Sequence, residues 1–244
     1  MRRFLLIPAF AIAFAITFAM ALAAPAAAQV TVSTGSPDNS IGPIGVDSQN
    51  AGFIPTAVAQ TFFAPPGDTY LQSFSFFFSD FANGGDLKMT ASIYAFSVDH
   101  LLGAALYTSP FVEGSDNQAG FDSRTVGGDP NAPLNIFLSP NTTYALVLTA
   151  FDGNAAAPDP STLLVGTTSA DTYADGSLFL SFAPDKASLS GAGAFSTDPS
   201  FGDVAFTAKF TGAPVTAAPE PASLALMATG LAGVGLLVRR RRRS

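Results

Sequence analysis

Hydrophobic and polar positions divide the chain into three parts. Residues 4–24 form an uncharged apolar run with Thr17 as its one polar side chain, and residues 222–238 form a second run that carries no charge. Between them, short apolar/polar alternations with period 2 are separated by turn residues, and no sustained helical period occurs. Phe74, Phe76 and Phe78 fall on one face of such a strand, and Leu87, Met89, Ala91, Ile93 and Ala95 on one face of the next. Leu134, Ile136 and Leu138 alternate, as do Tyr144, Leu146 and Leu148, and then Val204, Phe206, Ala208 and Phe210. Further strands are predicted at 57–63, 104–108, 121–126, 162–167 and 177–182. Asn83-Gly84-Gly85-Asp86, Gly127-Gly128-Asp129-Pro130 and Ser139-Pro140-Asn141 are the turn clusters that break them. About ten short strands with such turns predict an all-β body: a two-sheet antiparallel β-sandwich, jelly-roll-like, with Phe as its main filler.

The two apolar runs read as membrane signals. Arg2 and Arg3 precede the first, and Ala26, Ala27 and Ala28 follow it as a small-residue site. This is the order of a secretion signal, cut by signal peptidase between Ala28 and Gln29. The run is longer than an ordinary signal core, which leaves an uncleaved anchor as the alternative; the good cleavage site favours removal. The second run has 17 residues, the lower limit for a helix crossing the hydrocarbon core. Arg239, Arg240, Arg241, Arg242 and Arg243 follow it and would stay on the cytoplasmic side, leaving the body outside. Immediately before it, Pro219-Glu220-Pro221 cannot be helical throughout, because each proline lacks a donor and pushes its predecessor toward extended geometry. The predicted organisation is a signal peptide at 1–28, a β-sandwich at 29–212, a linker at 213–218 and a tail at 219–244. That tail comprises the motif at 219–221, a transmembrane helix at 222–238 and a basic end at 239–243.

The run APEPASLALMATGLAGVGLLVRRRRRS resembles the PEP-CTERM sorting tail of Gram-negative bacteria that make exopolysaccharide. Pro219, Glu220 and Pro221 match its motif, and Arg239 to Arg243 match its terminal cluster. The resemblance implies transient residence in the inner membrane and processing by an exosortase near the motif. It further implies delivery of the body to the cell surface or an extracellular, biofilm-type matrix, with exopolysaccharide as a prospective partner. The body carries a looser likeness. Ala-Gln-Thr-Phe-Phe at 59–63, the Phe-rich strand, Ile93-Tyr94-Ala95, 106–109 and 138–144 are similar to carbohydrate-binding-module-like jelly rolls of exported bacterial proteins, which implies the sandwich more than a sugar site.

Charge and composition narrow the chemistry. Only 12% of residues are charged, about half the usual share for soluble domains. Between Gln29 and Ala218 only Lys88, Arg124, Lys186 and Lys209 oppose 17 acids, a formal charge of −13. So few cations cannot neutralise a phosphate backbone, which excludes nucleic acid as a partner. The absence of Cys removes disulfides, thiol nucleophiles and Cys-based metal sites. His100 is the single histidine; Asp99, its chain neighbour, is expected to point elsewhere, and no G-x-S-x-G elbow is present, so His100 reads as a loop histidine. The body's carboxylates are 16 Asp and Glu113, and nearly all the Asp lie beside turn residues, where short carboxylates cap turns. That distribution does not suggest a glycosidase pair.

No cofactor is expected. A structural Ca²⁺, which takes loop oxygens, is the one metal these acids suit, with Asp80, Asn83 and Asp86, Asp152 with Asn154, or Asp171 with Asp175 as the candidates. Sugar stacking would fall to Tyr70, Tyr94, Tyr107, Tyr144 and Tyr173, although tyrosines inside strands more commonly pack. Asn141-Thr142-Thr143 completes a turn. The functional expectation is an exported, non-enzymatic surface or matrix protein, with a glycan-binding module as the alternative.

Overall fold

The computed structural model describes residues 28–45, 54–80, 88–110, 112–113, 120–129, 132–149 and 163–215. They lie in one unit, Ala28–Val215. In chain order its strands are β1 (Gln29–Ser33), β2 (Asn39–Ile44), β3 (Ala57–Phe63), β4 (Tyr70–Asp80), β5 (Lys88–Ser97), β6 (His100–Thr108) and β7 (Val112–Glu113). They continue as β8 (Asp122–Gly127), β9 (Ile136–Phe137), β10 (Thr143–Thr149), β11 (Leu163–Thr167), β12 (Leu178–Ser181) and β13 (Phe206–Thr211), with one 3-10 turn at Ala187–Ser190.

All the strand pairings are antiparallel and they make two sheets. In the first, β13 lies between β1 and β4, and β8 pairs the same stretch of β4 from the other side. Strand β11 continues β13's side of β4 and carries β2 outward. The second sheet runs β12-β3-β10-β5-β6. With the additions set aside, β1-β13-β4-β8 faces β3-β10-β5-β6, and the chain crosses repeatedly from one sheet to the other. That interleaving of eight strands is the jelly-roll order.

Period-2 alternation explains the core. Val58, Gln60 and Phe62 of β3, with Leu146 and Leu148 of β10, point inward against Phe74, Phe76 and Phe78 of β4 and Phe206 and Phe210 of β13, and all are at most 2% exposed. Phe62 bridges the layers, its ring 6.1 Å from Phe206 and 6.2 Å from Phe210. Leu71 is also fully buried, although it stands three residues before Phe74, the wrong parity for one face. A bulge solves this: Lys209 pairs Ser73 while Phe210 pairs Leu71, leaving Gln72 as the extra residue.

The outer face of the second sheet is covered as well. Ala57, Ala59, Tyr94, Phe96, Ala145 and Val147 form a second apolar cluster with Leu189 and Phe195 of the segment after β12. Small side chains on β3 and β10 let that segment approach closely, and backbone bonds between Leu180 and Ser196 of 2.8 and 2.9 Å hold its far end.

The observed strands refine the predicted ones. β1 and β2 were not evident from periodicity, the 134–138 alternation yields only the two-residue β9, and the predicted strand at 104–108 begins four residues earlier, at His100. His100 is therefore the first residue of a strand and not a loop residue. No helix among the described residues is long and apolar enough to cross a membrane. The expected signal peptide, as far as residue 27, and the tail, where a transmembrane helix is expected at 222–238, lie outside the described residues.

Candidate functional site

The single histidine sits at a strained corner. Strands β5 and β6 are joined by Val98 and Asp99, with Ser97 paired to His100. Val98 adopts φ +35° and is 83% exposed, an uncommon conformation for a β-branched residue. Asp99 does not point away, as the sequence reading expects: its Oδ1 lies 2.8 Å from His100 Nδ1. The reversal between Ser97 and His100 turns the neighbouring side chains together. The other oxygen, Oδ2, accepts the Gly193 N–H at 2.9 Å, and the Asp99 carbonyl accepts the Phe195 N–H at 2.9 Å. The His100 hydrogen bond, chiefly, holds the Asp99 carboxyl below its ordinary value, with the Gly193 bond adding to it and desolvation opposing. The pair thus acts as a strut from the hairpin to the segment that covers the second sheet.

A second carboxylate is buried. Asp203, fully inaccessible, accepts Gln60 Nε2 on Oδ1 at 2.8 Å. Its Oδ2 accepts the backbone N–H groups of Thr172 and Tyr173 at 2.8 and 2.9 Å. Gln60 in turn accepts the Val204 N–H at 2.8 Å, so the polar atoms of this inward-facing glutamine are paired inside the core. Gly202 lets the chain pass here, because a Cβ on it would stand 2.1 Å from the Ala170 carbonyl oxygen. Asp203 thereby shapes the loop that carries Asp171 and Asp175, both exposed. Among the described residues no three His, Asp or Glu side chains gather as a metal site. Asp80 ends β4, whereas Asn83, Asp86, Asp152 and Asn154 lie outside the described residues.

Two other carboxylates hold serines, one across the fold and one in a local turn. Asp38 accepts the Ser169 N–H at 2.7 Å and its hydroxyl at 2.8 Å. Asp185 does the same for Ser188, at 2.8 and 2.7 Å, ahead of the 3-10 turn. In both, the serine hydroxyl bond and then the backbone bond hold the carboxyl below its usual value.

The tyrosines do not share a face. Tyr144 is buried in the inner core, where Tyr107 and Tyr173 pack against it, and Tyr94 belongs to the outer cluster. Tyr70 packs against Phe137 with the rings tilted by 59°, 5.4 Å between centroids. What the sequence reading missed is a group of phenylalanines. Phe63, 37% exposed, lines an open groove of about 470 Å³ with Phe96, Phe179, Val98, Thr143 and Asp175. Phe63 and Phe179 stand on the outward positions of β3 and β12; the signal available was that Phe63 follows inward-facing Phe62 and so must point the other way.

Gln29, on the far side of the expected signal cleavage from Ala28, opens β1 opposite Thr211 at the end of β13. Pro219, Glu220, Pro221 and the five arginines lie outside the described residues, and their identity comes from comparison. The PEP-CTERM protein-sorting motif matches residues 217–243. No curated protein matches the chain. Among solved structures, it is similar to the VP2 protein of infectious bursal disease virus from T=1 particles, at 10% identity and TM-score 0.29, over 79% of this chain and 37% of that one. The structure of the Gx strain of the same virus gives 13% identity and TM-score 0.28, over 76% of this chain and 41% of that one. The chain thus spans well under half of either viral chain.

Proposed function

We propose that this chain, which carries the PEP-CTERM sorting motif at 217–243, is the precursor of a non-enzymatic protein of the cell surface or extracellular matrix. The motif itself implies exosortase-dependent sorting of an exported protein, made as a membrane-anchored precursor in a Gram-negative bacterium. Signal peptidase removes 1–28, the body folds outside the inner membrane, and the apolar run with its arginines holds the tail in the bilayer. The proline-flanked glutamate is then presented for cutting, and the released jelly roll joins the surface or the exopolysaccharide layer. The matched motif is the observation that carries this reading. Replacing Glu220 with Ala should leave full-length precursor in the inner membrane, seen by fractionation and immunoblotting; release of the variant at the normal rate would contradict it.

The groove beside Phe63 favours a second reading, a module that binds a surface or matrix glycan. The exposed ring of Phe63 beside Thr143 and Asp175 offers stacking and hydrogen bonding together. On a glycan array the processed protein should then retain one saccharide class, and Phe63→Ala should weaken retention at least about fivefold, as loss of about 1–3 kcal/mol of stacking requires. Equal retention by the variant would remove the groove from consideration.

A further inference from the structure

The body holds on to the root of its own tail. After β13 the chain runs through Gly212 and Ala213 to Val215, and there it meets Asn135, which lies just before β9 in the connection from β8 to β10. The Asn135 amide makes two bonds to one residue: Nδ2 donates to the Val215 carbonyl at 2.9 Å, and Oδ1 accepts the Val215 N–H at 2.8 Å. A side-chain amide here substitutes for a neighbouring strand. Asn135 adopts φ +51°, a left-handed conformation that asparagine tolerates better than most residues. At the end of β13, the Thr211 hydroxyl donates to the Ala213 carbonyl at 2.7 Å and accepts Gln72 Nε2 at 2.9 Å. Gln72 is the residue that the β4 bulge leaves over.

These contacts set a length. With Val215 clamped, only Thr216, Ala217 and Ala218 separate the folded body from Pro219. Four residue steps span at most about 14 Å. An enzyme engaging Pro219-Glu220-Pro221 must therefore work within that distance of Val215 while the clamp is closed. Opening it moves the anchor back to Ala213 and lengthens the reach to about 20 Å.

We propose that Asn135 is a positioning residue for tail processing: its clamp on Val215 restrains the cut at the sorting motif, and release of the clamp admits the exosortase. The inference rests on the sorting reading and concerns the rate of the same cut. Its test is a pulse-chase of precursor conversion in exosortase-producing cells, using the full chain. Asn135→Gly removes both bonds and suits the left-handed backbone, so its melting temperature should stay close to that of the natural protein. Two hydrogen bonds closing an equilibrium should slow conversion severalfold, so Asn135→Gly should convert at least about fivefold faster.

Inserting four Gly/Ser residues between Thr216 and Ala217, with Asn135 intact, should accelerate conversion similarly. Combining the two changes should add little, a result that general destabilisation of the body would not produce. Conversion at the natural rate or slower in Asn135→Gly, or in the insertion variant should Asn135→Gly fail to fold, overturns the clamp. Glu220→Ala separates the two claims: with conversion blocked there, only the clamp has failed, whereas normal conversion of Glu220→Ala overturns the sorting reading and the clamp with it.

Discussion

Asp203 shows how far one side chain's role can depart from what its neighbours suggest. Beside Gly202 it reads as one more turn-forming acid, yet it is fully buried and accepts four donors from two segments. Nothing local in the chain reveals this, because the donors come from Gln60 and from Thr172 and Tyr173, brought near only by the fold. Truncation to alanine would leave the buried Gln60 amide without its carboxylate acceptor, while the less buried N–H groups of Thr172 and Tyr173 could turn to water. An unsatisfied buried group costs about 1–3 kcal/mol, so Asp203→Ala should lower the unfolding free energy by about that amount. Urea denaturation of the 29–218 body measures this, and a loss below about 1 kcal/mol would show that water replaces the carboxylate. Asp185 behaves as the sequence suggested, capping a turn at Ser188 three residues on, whereas Asp38 holds Ser169 across the fold, 131 residues away. Asp99 also departs from its expected role, since a tight reversal after Val98 turns it onto His100.

Legibility at the level of elements followed burial contrast. β3 has the bounds its pattern predicts, and β4, β5, β10 and β13 differ by a few residues at their ends, because each alternates a fully buried face with another environment. β1 is only five residues long and largely exposed, so its alternation carries little contrast; full pairing with β13 makes it a strand. β2 contains Gly42 and Pro43, which read as turn signals, and it survives because an edge strand has a side where a missing donor does no harm. The Gln72 bulge was foreshadowed by the odd spacing of Leu71 from Phe74, a parity that a flat strand cannot bury on one face. The groove follows from the same parity, because Phe63 and Phe179 must face outward once their neighbours face in.

For the whole molecule, the two ends of the body meet. Gln29 pairs Thr211, so the expected signal-cleavage point and the exit toward the sorting motif leave from the same end of one strand pair. Completion of the first sheet requires β13, the last strand made, and β13 supplies Phe206 and Phe210 to the centre of the core. The tail was the most legible part of the sequence, because proline stiffness, an uncharged apolar run and clustered arginines each follow from composition, and the motif at 217–243 matches them. The role of the body is less legible, since a jelly roll hosts many functions. The most direct test of the account is the intact mass, with terminal sequencing, of the protein recovered from outside the inner membrane. A chain beginning at Gln29 and lacking the apolar run and its arginines is the predicted result; mature protein that still ends in Arg239 to Arg243 would contradict it.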